Sequence, residues 1–306
     1  MRVLRAGAGE VLGLAFSPDA RALAAAVEGR GVFLWNLDAG GPPVCLNPSA
    51  SRRAKDLYFT ADGRGVGWLD WDGWKVYDRD TRRVNRPRLS DPGQIFLLIP
   101  GPGGDRVYTQ HSFPELALVG WRAAGGGWER EWEVPTRQLA VDRLAVAPGG
   151  DTLAVLTRSA ADPKWGDKRP VLELRSAVNG RVVASAPYPW KCTGPLVVAP
   201  DGKHVVGLHQ MTVVVWAAGD PGGPTQIRDA SRKHFTAAAF DPSGRYLFAA
   251  RFDATVHVFD AAGWGCRVRF DWGIGPLRAV AVSRDGTLAA AGGDRGEVVV
   301  WDVDLD

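Results

Sequence analysis

The 306-residue chain is 45% hydrophobic and 23% charged, a composition typical of a soluble globular protein and not of a disordered one. Its 37 basic and 34 acidic residues leave a formal net charge of +3, which gives no general argument for nucleic-acid binding. The three cysteines lie far apart without CxxC spacing, so neither a disulfide framework nor a zinc site is indicated. Because we find no signal peptide and no long apolar run, we expect a cytoplasmic protein that does not bind membranes.

One short pattern recurs along the chain: an apolar run, a turn, a second apolar run, another turn, and a β-branched run. In chain order, the first turn of each copy begins at Ser17, Thr60, Gly101, Ala147, Ala199, Asp241 and Ser283. The third run of each copy ends at Trp35, Tyr77, Trp121, Arg175, Trp216, Phe259 and Trp301. Most copies are spaced close to the roughly 40–45 residues of a four-stranded propeller blade. Two landmarks with one period predict seven antiparallel repeats.

The sequence motifs of the repeats resemble those of the WD40-repeat family. The resemblance is carried by SPD at Ser17 to Asp19, APDG at Ala199 to Gly202 and VVVWD at Val298 to Asp302. It covers nearly the whole chain and implies an all-β fold, a seven-bladed β-propeller with four-stranded blades around a central channel. The family's Gly-His dipeptide before the first strand is missing. Its buried Asp-His-Ser-Trp network is therefore not assumed, although Asp253 and Asp294 stand where its aspartate would.

The resemblance predicts one domain over residues 1–306. The expected repeat cores are residues 11–40, 54–83, 94–126, 141–181, 192–220, 234–264 and 277–304. The last repeat ends after its third strand, so its outer strand is missing. Residues 1–6 contain Val3 and Leu4, which can pair with Val298 to Val300 as that strand. We expect this pairing to close the ring, because it removes a long unpaired edge.

In a propeller of this kind, the connections between blades and the turns between second and third strands share one face. The insertion RSAADPKWGDKRP falls on that face in the fourth repeat, where recognition is commonly built. The expected partner-binding residues are Trp71, Phe113, Lys164, Trp165, Lys168, Arg169, Trp190, Lys191, Arg232, Lys233, Arg251 and Phe252. Basic side chains interleaved with aromatic ones favour an acidic or phosphorylated peptide. The alternative is an ordinary solvated surface, because Asp162, Asp167, Asp229 and Asp253 lie among them.

Catalytic chemistry has little support in the sequence. The first strands of the repeats contain almost no ionisable residues, and the five histidines lack metal-binding spacing. We therefore expect no catalytic residue, metal or cofactor, and favour a protein-protein interaction scaffold that can serve as a subunit of a larger complex; nucleic acid is not the expected partner. The alternative is a metal-dependent propeller hydrolase or lactonase that uses Glu10, Asp56 and Asp142 at the channel mouth.

Overall fold

The computed structural model describes residues 1–47, 55–70, 72–89, 95–111, 116–125, 127–136, 139–159, 170–188, 192, 194–220, 223–228 and 232–305. These residues form seven antiparallel sheets of four strands each. No helix occurs among them, and hence none that is long and apolar enough to cross a membrane.

The strands follow one another along the chain, and six sheets are built from four consecutive strands. Before the first sheet comes β1 (Arg2–Arg5). Sheet 1 contains β2 (Val11–Phe16), β3 (Ala22–Val27), β4 (Gly31–Asn36) and β5 (Val44–Cys45). Sheet 2 contains β6 (Lys55–Phe59), β7 (Gly65–Asp70), β8 (Gly73–Asp78) and β9 (Arg83–Asn85). Sheet 3 contains β10 (Ile95–Pro100), β11 (Arg106–His111), β12 (Ala117–Ala124) and β13 (Gly127–Pro135).

The remaining sheets repeat the same order. Sheet 4 contains β14 (Leu139–Val146), β15 (Thr152–Ser159), β16 (Val171–Ser176) and β17 (Val182–Pro187). Sheet 5 contains β18 (Leu196–Val198), β19 (His204–His209), β20 (Thr212–Ala217) and β21 (Thr225–Arg228). Sheet 6 contains β22 (Phe235–Phe240), β23 (Tyr246–Arg251), β24 (Thr255–Asp260) and β25 (Cys266–Asp271). Sheet 7 contains β26 (Leu277–Val282), β27 (Leu288–Gly293) and β28 (Glu297–Asp302), and its fourth strand is β1. The prediction of seven four-stranded repeats is confirmed.

The chain divides into two compact units. The first consists of residues 1–86 and 229–306 and holds sheets 1, 2, 6 and 7. Within it the first strands of neighbouring sheets are in contact, β22 with β26, β26 with β2 and β2 with β6. The second unit consists of residues 87–228 and holds sheets 3, 4 and 5, where β10 contacts β14 and β14 contacts β18. The prediction of a single domain stays a prediction.

The N-terminal strand completes sheet 7, as the sequence predicts. Strand β1 runs antiparallel to β28, with Val3 opposite Val299 and Leu4 opposite Val298. The pairing continues past the strand, because the Ala6 N–H donates to the Gly296 carbonyl at 3.1 Å. The edge of β28 is therefore covered by the chain's own first residues.

The turn between the first and second strands is the same in all seven sheets. In sheet 1 the Ser17 N–H donates to the Ala22 carbonyl and the Ala20 N–H donates to the Ser17 carbonyl, both at 2.9 Å. Matching pairs of bonds occur at the corresponding residues of the other six sheets. The residue in the place of Ala20 is a glycine with positive φ in those six, and Ala20 itself has φ 56°. The sequence landmarks therefore mark a turn that needs a left-handed residue at its fourth position.

The tryptophans near the ends of the third strands are packed inside. Trp35, Trp121, Trp216 and Trp301 are each no more than 6% exposed. Trp68 on β7 is also fully buried. Large rings of this kind bury much apolar surface, so they supply a large share of the energy that joins adjacent sheets.

Candidate functional site

Most of the predicted partner-binding residues lie outside the described part of the chain. These are Trp71, Phe113, Lys164, Trp165, Lys168, Arg169, Trp190 and Lys191, and their roles stay predictions. The other four, Arg232, Lys233, Arg251 and Phe252, lie together at the end of sheet 6 where β23 turns towards β24. Arg232, Lys233 and Phe252 are exposed, whereas Arg251 is buried.

Backbone hydrogen bonds place the segment before β22 beside the turn after β23. The Phe252 N–H donates to the His234 carbonyl at 3.0 Å. The Arg251 Nη2 donates to the Lys233 carbonyl at 3.2 Å. These bonds hold the exposed side chains of Lys233 and Phe252 on neighbouring segments, so one partner can contact both.

The buried position of Arg251 corrects its predicted role as a partner contact. Its side chain is 1% exposed, and its guanidinium lies over the Phe235 ring, 5.1 Å from the centroid. Its Nη1 is 2.9 Å from His257 Nε2 and 3.4 Å from Asp253 Oδ2. A guanidinium can only donate, so His257 Nε2 accepts and the imidazole carries its proton on Nδ1. Arg251 lies opposite Phe235 in the sheet, and this register directs it inwards.

We expect Arg251→Ala to lower the free energy of unfolding by about 3 kcal/mol, because it removes one partner of a buried, hydrogen-bonded charge. Arg232→Ala is the matched control and should change it by less than about 0.5 kcal/mol, because Arg232 is exposed. Urea denaturation followed by circular dichroism measures both. Equal effects of the two substitutions would contradict an internal role for Arg251.

Arg278 is a surface residue that sequence reasoning missed. It lies on β26, and its guanidinium stacks over the exposed Phe252 ring, 4.9 Å from the centroid. Its Nη2 donates to Glu10 Oε1 at 3.1 Å, so it connects sheets 6 and 7 to the segment that precedes sheet 1. The sequence shows Arg278 only as one arginine within the apolar run LRAVAV. A simple alternation of buried and exposed strand residues does not distinguish it from any other polar residue of a strand.

A β-bulge explains why strand alternation fails at this position. The pairing of the first and second strands changes register near its start in six of the seven sheets, at Val11/Gly13, Lys55/Tyr58, Ile95/Leu97, Val141/Arg143, Phe235/Ala237 and Leu277/Ala279. Leu12 and Arg278 are therefore extra residues without a cross-strand partner. Leu12 is 37% exposed, although it is an apolar residue on a strand of apolar residues.

We call Leu12, Arg232, Lys233, Phe252 and Arg278 the Phe252 surface. It combines exposed apolar area with three cationic groups. Such a set can pack against an apolar residue of a partner while its guanidinium and ammonium groups bind carboxylate or phosphate oxygens.

The carboxylates proposed for an enzyme site show no metal-binding arrangement in the described ranges. Glu10 is ion-paired with Arg278. The Asp142 side chain is 10% exposed, and its Oδ1 lies 3.9 Å from Arg143 Nη1. No group of three or more His, Cys, Asp or Glu residues that could hold a metal occurs among the residues described. The hydrolase alternative therefore gains no support from this geometry.

A cavity of about 400 Å³ lies at the opposite end of the strands, between the first turns of sheets 1 and 2. It is lined by Pro18, Asp19, Asp62, Gly63, Arg64, Arg79 and Asp80. Its carboxylates serve the turns themselves, since the Ser17 hydroxyl donates to Asp19 Oδ1 at 2.5 Å and the Thr60 hydroxyl to Asp62 Oδ1 at 2.6 Å. These bonds hold the pKa of both carboxyl groups below its usual value.

Comparisons with known proteins give the same fold. The family model described as WD domain, G-beta repeat matches residues 224–260 and 272–302. No curated protein matches the chain. The chain is similar in structure to the β-propeller domain in the crystal structure of Cps50 (Swd1) from Myceliophteria thermophila, with a TM-score of 0.74 and 14% sequence identity. The alignment covers 99% of this chain and 100% of that one.

Proposed function

We propose that this chain, which has the fold of a β-propeller with seven four-stranded sheets and two segments that match the WD domain, G-beta repeat model, is a non-catalytic scaffold that binds a protein partner. A fold alone does not define a function, so the proposal depends on a particular surface. The observation that carries it is the Phe252 surface, where an exposed aromatic ring lies under a guanidinium beside further cationic side chains.

The apolar part of this surface supports partner binding. Phe252 is 42% exposed and Leu12 is 37% exposed. Aromatic and arginine side chains contribute much of the energy of protein interfaces, because aromatic rings bury a large area and guanidinium groups form several hydrogen bonds. Phe252 is held by a backbone hydrogen bond and by the stacked Arg278, so less entropy is lost when a partner covers it.

The charges on this surface favour an acidic or phosphorylated peptide segment. Two carboxylates beside this surface are already engaged: Glu10 with Arg278, and Asp253 with Arg251 and the Thr255 hydroxyl. Arg232 and Lys233 are exposed and lie outside these pairs. A partner therefore meets mainly positive charge around an aromatic ring, which attracts oxygen anions and a flanking apolar residue.

A photo-crosslinking experiment tests this proposal. p-Benzoylphenylalanine placed at position 252 should crosslink to one protein in cells that express the chain. Purified, that protein should bind Phe252→Ala with at least tenfold lower affinity than wild type by isothermal titration calorimetry, because a central aromatic anchor is lost.

Val44→Ala is the matched control. Val44 is 56% exposed on the outer strand of sheet 1, so its truncation also removes exposed apolar surface. We expect wild-type affinity for this variant. Equal binding of Phe252→Ala and wild type would show that the partner does not use the Phe252 surface.

A further inference from the structure

One arginine of the Phe252 surface already holds a carboxylate from the chain itself. The Arg278 Nη2 donates to Glu10 Oε1 at 3.1 Å. Among the residues that the structure describes, the Arg278 side chain makes no other hydrogen bond, and its Nε is a buried donor without a partner. A guanidinium carries five N–H donors, so the protein uses one of five at this position.

Another ion pair of the chain shows what a complete contact looks like. The Arg106 Nε donates to Glu131 Oε2 at 2.9 Å, and the Arg106 Nη2 donates to Glu131 Oε1 at 3.1 Å. Both carboxylate oxygens are used there, along the edge of the guanidinium that Nε and Nη2 form. The same edge of Arg278 has a bond at Nη2 and none at Nε. Glu10 therefore makes half of the contact that a carboxylate can make with an arginine.

The Glu10 side chain can leave Arg278 while its backbone stays in place. The Glu28 N–H donates to the Glu10 carbonyl at 2.8 Å, and this bond does not involve the Glu10 side chain. The side chains of Glu10 and Arg278 are 35% and 34% exposed. An ion pair this exposed changes an equilibrium by about fivefold or less, because water screens both charges. Rotation of the Glu10 side chain into solvent therefore needs little free energy.

The position of Arg278 does not depend on Glu10 alone. Its guanidinium lies over the Phe252 ring, 4.9 Å from the centroid, and a cation over an aromatic face is attracted to it. Its backbone belongs to β26 at the bulge between Leu277 and Ala279, which presents the side chain on the surface. The guanidinium therefore stays beside the exposed aromatic ring when Glu10 moves away.

We propose that Glu10 is an internal competitor at the Phe252 surface, and that a carboxylate from an acidic segment of the protein partner takes its place on Arg278. The inference rests on the proposed function, because it assigns the partner's anionic group to one residue of that surface. The partner carboxylate bonds to both Nε and Nη2 of Arg278, and an apolar residue next to it packs on Phe252 and Leu12. The group is a carboxylate because Glu10 already places one against Arg278.

This competition makes Glu10 a residue that determines specificity. An anion that forms a single bond to Arg278 replaces the Glu10 contact with an equivalent one and gains nothing. A carboxylate that forms two bonds, and whose segment also covers the exposed Phe252 ring, gains on both counts. Glu10 therefore selects against weakly bound anions and favours acidic segments that carry an apolar residue.

The test titrates the full chain into a fluorescein-labelled decapeptide, eight glutamate residues around two central leucines, and follows fluorescence anisotropy. Glu10→Gln keeps the size of the side chain and removes its charge, so it should bind the peptide about three- to fivefold more tightly than wild type. Glu28→Gln is the matched control. Glu28 is exposed, lies beside the Glu10 backbone and forms no ion pair within the described part of the chain. Its substitution removes the same charge without freeing Arg278, so affinity should change by less than about 1.5-fold.

Arg278→Ala provides the second half of the test. This variant should bind the peptide at least about fivefold more weakly than wild type, because the guanidinium is lost. Adding Glu10→Gln to Arg278→Ala should change the affinity by less than about 1.5-fold, because the competitor no longer has a site to occupy. The dependence of one substitution on the other distinguishes direct competition from a general change in surface charge.

Several results would overturn the inference. Equal affinities of Glu10→Gln and Glu28→Gln would exclude competition, and weaker binding by Glu10→Gln would show that Glu10 positions Arg278. Absence of peptide binding to both the wild type and Glu10→Gln would remove the ligand chemistry. More than about tenfold tighter binding of a peptide with phosphoserine on each side of the leucines would assign the site to phosphate.

Phe252→Ala separates this inference from the proposed function. If Phe252→Ala weakens peptide binding while Glu10→Gln behaves as its control does, the Phe252 surface remains the binding site and only the competition is wrong. Unchanged peptide binding by Phe252→Ala would contradict the Phe252 surface itself, and with it the inference that rests on it.

Discussion

Deletion of residues 1–6 is expected to lower the melting temperature by about 5 °C. The deletion removes β1 and leaves β28 with an unpaired edge. Each ladder hydrogen bond contributes roughly 1 kcal/mol, so a loss of about 3–4 kcal/mol is expected. For a chain of this length, 1 kcal/mol corresponds to about 1.5 °C. Differential scanning calorimetry measures the shift, and an unchanged melting curve would contradict a stabilising role for β1.

A pair of proline variants separates strand pairing from the loss of side chains. Ala6 donates to Gly296, and bonded residues alternate along an antiparallel pair, so the Leu4 N–H points towards β28 and the Val3 N–H points away. Leu4→Pro should therefore lower the melting temperature by several degrees, whereas Val3→Pro should lower it by about 1 °C or less. Equal shifts would show that the register of β1 is not the source of the stability.

Gly120→Ala is expected to lower the free energy of unfolding by about 2–4 kcal/mol. A Cβ at position 120 would lie 2.3 Å from the Trp132 ring, so the ring has to move. Trp132 on β13 also donates from Nε1 to the Ala177 carbonyl at 3.0 Å, which joins sheet 3 to sheet 4. The substitution therefore disturbs one contact within a sheet and another between sheets. Urea denaturation of the purified variant measures the effect.

Two further variants control this experiment. Gly263→Ala should be nearly neutral, because a Cβ there meets nothing within 4 Å and φ is not positive. Gly120→Ala combined with Trp132→Ala should destabilise less than the sum of the two single changes, because removal of the Trp132 ring relieves the clash that the added methyl group at position 120 causes. Strict additivity of the two changes would argue against direct contact between positions 120 and 132.

The sequence placed the candidate binding residues at strand ends, but it did not decide which of their side chains are exposed. Phe252 was correctly assigned to an exposed turn, because its place between the second and third strands follows from the repeat. Its immediate neighbour Arg251 cannot be distinguished from a surface arginine by residue type, yet its side chain is buried against Phe235 and His257. Arg278 shows the reverse case, since an arginine inside an apolar run is partly exposed at a bulge. Polarity alone does not reveal which side of a strand end a long side chain will occupy.

The sequence by itself determined the strands, their order and the seven first turns. Each of these features depends on residues close together in the chain. The strands depend on alternation over about six residues. Each first turn depends on a backbone hydrogen bond between its first residue and the residue five positions later, and in six sheets on a glycine at its fourth position. It also predicted the pairing of β1 with β28, in which Val3 and Leu4 lie opposite Val299 and Val298. Only the tertiary structure decided that Arg278 stacks on Phe252 and that Arg251 is buried beside Phe235 and His257. These contacts join segments whose approach depends on bulges and on packing between elements, which no local pattern encodes.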